Sequence, residues 1–213
     1  MRTALFIALE GIDGSGTTTQ CDLLCRHIES LGCSVVRTRE PGGTPLAERI
    51  RQLLLDPEQV LSDATEMLLY AAARAQHVCD VIAPALRAGH PVVSDRFVAS
   101  SLAYQGVGRG LGIEAVREVN RPAVAGVLPH LTIYLDVSTA LARQRRQARA
   151  GTVDRIEKAG DALQERVAQG YRLLAAADPA ASLLVEGSRP AEVVADEVRH
   201  VLHARWPAFP YAG

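Results

Sequence analysis

The 213 residues suffice for one sizeable α/β domain with its own core. A hydrophobic share of 48% with 22% charged residues fits a globular protein. A net charge of −1 gives no electrostatic basis for broad nucleic-acid or membrane binding, and no apolar run reaches spanning length.

Residues 4–9 (Ala-Leu-Phe-Ile-Ala-Leu) read as a short buried strand, too short for a secretory signal and followed at once by glycines. A cytoplasmic protein is the expectation. The next helix starts near Thr17, runs to Ser30 and is stopped by Gly32. It carries Cys21 and Cys25, whose spacing could clip a metal but better suits reduced thiols. Residues 33–38 form a second strand, and Arg39 to Pro45 a turn-rich loop. Helices follow over 46–55 and 63–86, with Pro84 bending the last turn of the second. Residues 89–94 give a turn and a third strand that ends at Asp95-Arg96. A helical stretch follows to Gln105, then a flexible segment with glycines at 106, 108, 110 and 112.

Residues 113–125 are helical, 131–137 a strand and 139–149 an arginine-dense helix. Residues 151–160 read as a loop, 162–177 as a helix, 183–186 as the fifth strand and 191–203 as the last helix. The Pro/Gly tail at 207–213 reads as loose. Five strands alternating with helices predict a mainly parallel sheet covered on both faces, within one domain over 1–206.

Gly11-Ile12-Asp13-Gly14-Ser15-Gly16-Thr17-Thr18 is the chemical signature. It follows G-x-x-x-x-G-K-[ST] everywhere except at the lysine, where Thr17 stands. Gly14 and Gly16 let backbone N–H groups approach phosphate oxygens, and the following helix adds its positive dipole end. Thr18 sits where a hydroxyl would hold magnesium. Asp95, at a strand's carboxyl end, could join it through water, and Arg96 could meet phosphate. A surface ion pair fits Asp95-Arg96 equally well when the dipeptide is taken alone.

Further blocks are Thr38-Arg39-Glu40-Pro41-Gly42-Gly43-Thr44, Asp95-Arg96-Phe97, Ser100 to Gly106, Leu135-Asp136-Val137 and Asp154-Arg155-Ile156-Glu157. With the glycine loop, and in this order, they make the chain resemble the thymidylate kinases, which phosphorylate dTMP with ATP. The resemblance implies a P-loop NTPase-type three-layer α/β sandwich, ATP and dTMP as partners, Mg2+ as cofactor and a homodimer to which the 63–86 helix contributes. It implies that Gly11 to Gly16, with Thr17, Thr18 and Thr19, hold ATP phosphates. Asp13 would approach the deoxyribose 3′-hydroxyl, and Glu40 with a cis Pro41 would shape the dTMP pocket. Tyr70 would stack on thymine, although a core tyrosine suits its position too. Arg74, one turn on, would donate to a base oxygen. Ser101 and Gln105 would complete the base and sugar contacts, and Tyr104 would crowd the 2′ position. Arg96 would hold the dTMP phosphate, with Arg51 a second candidate.

The arginines at 143, 145, 146, 149 and 155 alone suggest a solvated helix face. In the resembling family they mark a lid over ATP, at about 143–160. Arg149 is the candidate beside the transferred phosphoryl group, and Arg145 the one packing near adenine. The missing lysine matters because phosphoryl transfer depends on positioning and charge neutralisation. Removing one preorganised donor typically costs ~100- to 1000-fold in rate, about 3–4 kcal/mol. A lid arginine could fill the gap. A nucleotide-binding regulatory paralogue without catalysis and a deoxynucleoside kinase are the alternatives.

Overall fold

The computed structural model describes residues 3–148 and 154–212. Strands β2 (Phe6–Glu10), β3 (Val36–Arg39), β4 (Val92–Asp95), β5 (Leu131–Asp136) and β6 (Ser182–Glu186) form one sheet in the order β3-β4-β2-β5-β6. Every pairing is parallel, for example Leu9 beside Asp95 and Ile133. All the carboxyl ends therefore lie along one edge, where ligands bind in open sheets.

The central strand shows why both faces are covered. Leu5, Ile7 and Leu9 point into a cluster with Cys21, Leu24 and Ile28 of α1 (Thr17–Ser30) and Val194, Val198 and Leu202 of α10 (Ala191–Arg205). Phe6 and Ala8 point the other way, toward Val78, Ile82 and Phe97. This alternation has the strand period of two, with apolar residues on both faces. Cys21 and Cys25 are free and buried, and burial pushes the Cys25 thiol up to about 11.

The other helices are α2 (Pro45–Leu55), α3 (Asp63–His77), α4 (Ala83–Arg87), α5 (Val98–Ser101), α6 (Ile113–Val124), α7 (Thr139–Gln147), α8 (Arg155–Lys158) and α9 (Asp161–Ala177). The predicted 63–86 helix is α3 and α4 joined by a π segment, Val78–Ile82. Pro84 lacks an N–H, and the helix widens just before it.

Three expectations change. Gly106 and Gly108 lie inside a buried π-helical segment, Leu102–Gly108, and not in a flexible one. A Cβ on Gly108 would come within 2.8 Å of Leu163 Cδ1 and 2.9 Å of Val167 Cγ2, so glycine permits close approach of α9. Within the predicted 151–160 loop lies α8, capped by Asp154, whose Oδ1 accepts the Ile156 and Glu157 N–H groups at 2.9 Å each. The tail packs: Phe209 is buried between His27 and His203, and β7 (Tyr211–Ala212) pairs antiparallel with β1 (Thr3–Ala4).

Candidate active site

Three adjoining cavities lie along the carboxyl edge of the sheet. An inner pocket is walled by Glu40, Pro41, Arg51, Tyr70, Arg74, Ser101, Tyr104 and Gln105, among others. A loop cleft beside it is walled by Gly14, Gly16, Thr17, Thr18, Thr19, Arg39 and Asp95. Asp13, Glu40, Arg51, Arg96 and Asp154 line both. A side groove with Gly187, Ala191 and Val194 shares Gly16, Thr19 and Arg145 with the cleft.

The glycine loop is shaped by its residues. Gly14 (φ 92°) and Gly16 (φ 103°) have left-handed backbones, and a Cβ on Gly14 would come within 2.4 Å of the Ala142 carbonyl oxygen on α7. Gly16 caps α1, so that helix's first N–H groups face the loop. Gly11, Ile12 and Ser15 lie beneath the loop surface: Ile12 is in the core, and a Cβ on Gly11 would strike the Ser15 side chain. Thr17 is buried in the cleft wall. Thr18 Oγ1 donates to Asp95 Oδ2 at 2.5 Å, while Asp95 Oδ1 is buried without a partner among the described residues. A hydroxyl touching a carboxylate with a free lone pair suits a hard cation that takes oxygen ligands.

Arg145 donates to the Ser15 carbonyl at 3.2 Å and to the Gly187 carbonyl at 3.1 Å, placing a positive charge between cleft and groove. Arg146 donates to the Asp13 carbonyl at 2.6 Å. Arg149 lies outside the described residues. Arg143 instead pairs with Asp161 on the surface, and Arg155 points toward α3.

Arg96 sits at φ 73°, an uncommon backbone for a residue with a Cβ. The arrangement around it holds that conformation. Its N–H donates to the Leu9 carbonyl at 2.9 Å, and its own carbonyl accepts from Ser94 Oγ at 2.6 Å. Its guanidinium donates to the Gly11 carbonyl (2.6 Å), Asp13 Oδ1 (2.7 Å) and Tyr171 OH (3.0 Å), and lies over the Tyr104 ring. The loop and the Asp95-Arg96 turn, 83 residues apart, are thus clamped together. Arg51 donates to the Pro41 carbonyl at 2.9 Å, and burial lowers its pKa from the usual value.

Arg74 reaches the pocket wall fully buried. Its donors meet Glu40 Oε2 (2.8 Å from Nε, 2.7 Å from Nη2), Ser101 Oγ (2.9 Å), Asn120 Oδ1 and the Phe97 carbonyl (3.1 Å). Four of its five N–H groups therefore have hydrogen-bond acceptors in the protein and the charge is paired with Glu40, so Arg74 stiffens the wall. Glu40 Oε1 lies 3.0 Å from His77 Nδ1, and His77 Nε2 lies 2.6 Å from Thr38 Oγ1. The Glu40–Pro41 peptide is cis.

Sequence reasoning missed the groups behind this wall. Glu10 is wholly buried and accepts from Phe97 N–H (2.8 Å), Ser100 Oγ (2.6 Å) and Tyr171 OH (3.1 Å). Burial pushes its carboxyl up to about 7 against these donors and the Arg96 charge. Glu10 leads into the glycine-loop motif, but Glu66, His77 and Asn120 carry no motif. Their only signal was polarity on helix faces otherwise packed into the interior.

A parallel sheet with a glycine loop at its central strand, and two cavities meeting at shared charged residues, defines a P-loop nucleotide kinase. A profile of the thymidylate kinase family matches residues 9–198. The chain is 52% identical over 191 residues to the thymidylate kinase of Pelotomaculum thermopropionicum, spanning 89% of this chain and 88% of that protein. It is 44% identical over 205 residues to that of Symbiobacterium thermophilum (96% and 95%). The Deinococcus radiodurans enzyme of the same name is 44% identical over 198 residues (93% and 96%). The chain belongs to the thymidylate kinase family.

Proposed function

We propose that this chain transfers the γ-phosphoryl group of ATP to dTMP, giving dTDP and ADP. The observation that carries this is the shared wall. Asp13, Glu40, Arg51, Arg96 and Asp154 line both the loop cleft and the inner pocket, so two ligands would meet there with cationic side chains between them. The adenine would occupy the side groove beside Arg145 and the triphosphate the glycine loop. The pyrimidine would fill the inner pocket, with Tyr70 against the ring and Ser101 and Gln105 at its polar edge. Tyr104 would crowd the sugar, and Asp13 would receive its 3′-hydroxyl.

Arg96 and Arg51 would hold the acceptor phosphate. Thr18 and Asp95 would hold Mg2+, which when bound would neutralise phosphate charge. Thr17 leaves one loop charge missing, and Arg145 and Arg146, which both donate to loop carbonyls, could offset it, with Arg149 joining them from the lid. No helix among the described residues is long and apolar enough to cross a membrane. Exposed Leu46, Leu53 and Leu68 on α2 and α3 support a homodimer through that side.

A coupled ADP-release assay with dTMP, thymidine and dUMP tests the reading. Turnover with dTMP far above that with thymidine is the expected result. Absence of ADP with dTMP and excess magnesium would refute it.

A further inference from the structure

Behind the inner pocket stands a buried acid that no motif marks. Glu66, near the start of α3, is 1% exposed. Its Oε1 accepts from Gln105 Nε2 at 2.8 Å and Arg109 Nε at 3.3 Å. Its Oε2 accepts from Arg109 Nη2 at 3.0 Å and pairs with Arg155 Nη1 at 2.7 Å. Burial opposes the charge, but donation from Arg109, Gln105 and Arg155 outweighs it and holds the carboxyl below its ordinary range. Glu66 is therefore an anion at neutral pH.

An ionised carboxylate only accepts hydrogen bonds. Gln105 must turn its NH2 group toward Glu66, because the reverse rotamer would set its amide oxygen against a carboxylate oxygen. Its Oε1 consequently faces away from Glu66. That atom is buried and has no partner among the described residues, and Gln105 lines the inner pocket. The network thus leaves one fixed acceptor needing a donor.

We propose that Glu66 is a specificity-determining positioning residue: by locking the amide of Gln105, it makes the pocket wall accept a ring N–H. Thymine and uracil carry that donor at N3, and cytosine carries a lone pair there. The inference rests on the reading above that this pocket takes a pyrimidine nucleotide. With cytosine, two acceptors would face each other and both would lose their hydrogen bonds, the kind of mismatch a polar site rejects strongly. A freely rotating Gln105 could present oxygen to one base and NH2 to the other, and would discriminate little.

The test is calorimetric titration of dTMP and dCMP into wild type, Glu66→Gln and Gln105→Met. Glutamine at 66 can donate or accept, which releases Gln105. The preference for dTMP over dCMP is expected to fall at least about tenfold in Glu66→Gln, mostly because dCMP binds better. General loosening of the pocket would weaken both nucleotides together and leave the ratio unchanged. Glu66→Gln leaves Arg155 without its counter-charge, so Glu66→Gln/Arg155→Met, which removes that buried cation, gives the same reading should the single variant not fold. An unchanged ratio in the folded Glu66 variants overturns the proposal, whether or not Gln105→Met alters it. Failure of wild type to bind either nucleotide would instead remove the functional reading beneath it.

Discussion

Replacing Glu10 with glutamine should stabilise this protein, and increasingly so as pH rises. The Glu10 carboxyl is fully buried behind Arg96, and its pKa is raised from 4.5 to about 7 by burial, against donors from Phe97, Ser100 and Tyr171. At about 1.4 kcal/mol per pH unit, that rise corresponds to roughly 3 kcal/mol. The sign follows from proton binding. Between pH 4.5 and about 7 the folded state holds a proton that the unfolded chain releases. Stability from this group is full below the lower value, falls across that window and is gone above it. Glutamine has the same shape and no charge to bury. Its oxygen can accept the Phe97 N–H, and its NH2 can donate to Ser100 or Tyr171, whose hydroxyls rotate. Urea unfolding of both proteins at about pH 5 and about pH 8 measures the effect. The advantage of Glu10→Gln should grow by up to about 3 kcal/mol between the two, while the shared histidines cancel in the difference. An advantage that stays flat, or that shrinks as pH rises, would refute the reasoning and show that the three donors and Arg96 outweigh burial.

Thr17→Lys should raise kcat roughly 100-fold by restoring a charge at the phosphates. A flat response, together with collapse of turnover in Arg149→Ala, would mean that the lid already supplies it. Gly108→Val should destabilise the fold by about 2 kcal/mol, because its side chain would enter space held by Leu163 and Val167; a thermal melt within a degree of wild type would contradict the packing argument. Phe209→Ala should cost about 3 kcal/mol and release the C-terminal strand, and limited proteolysis followed by mass spectrometry would detect the cut.

The five parallel strands and the glycine loop were legible in the residue order, while the residues of the pocket wall came from the family resemblance. Short apolar runs ending in glycine or Asp-Arg mark strand ends, and the loop needs Gly14 and Gly16 for reasons local to the backbone. The limits were equally physical. Four residues of α8 are too few to show a period, and glycine has the same composition signature in a flexible loop as in a tight helix contact at Gly108. Phe209 looked like part of a loose tail because the ring it stacks on, His27, comes from α1 at the other end of the chain, and only folding brings it beside His203 of the preceding helix. Residue types at fixed spacing therefore determined the phosphate loop and the family resemblance. Only the tertiary structure decided the raised pKa of Glu10, the burial of Arg74 against Glu40 and the orientation of Gln105 against Glu66. Each depends on how much water is excluded and which donors converge, and those are set by chains of residues that meet only after folding.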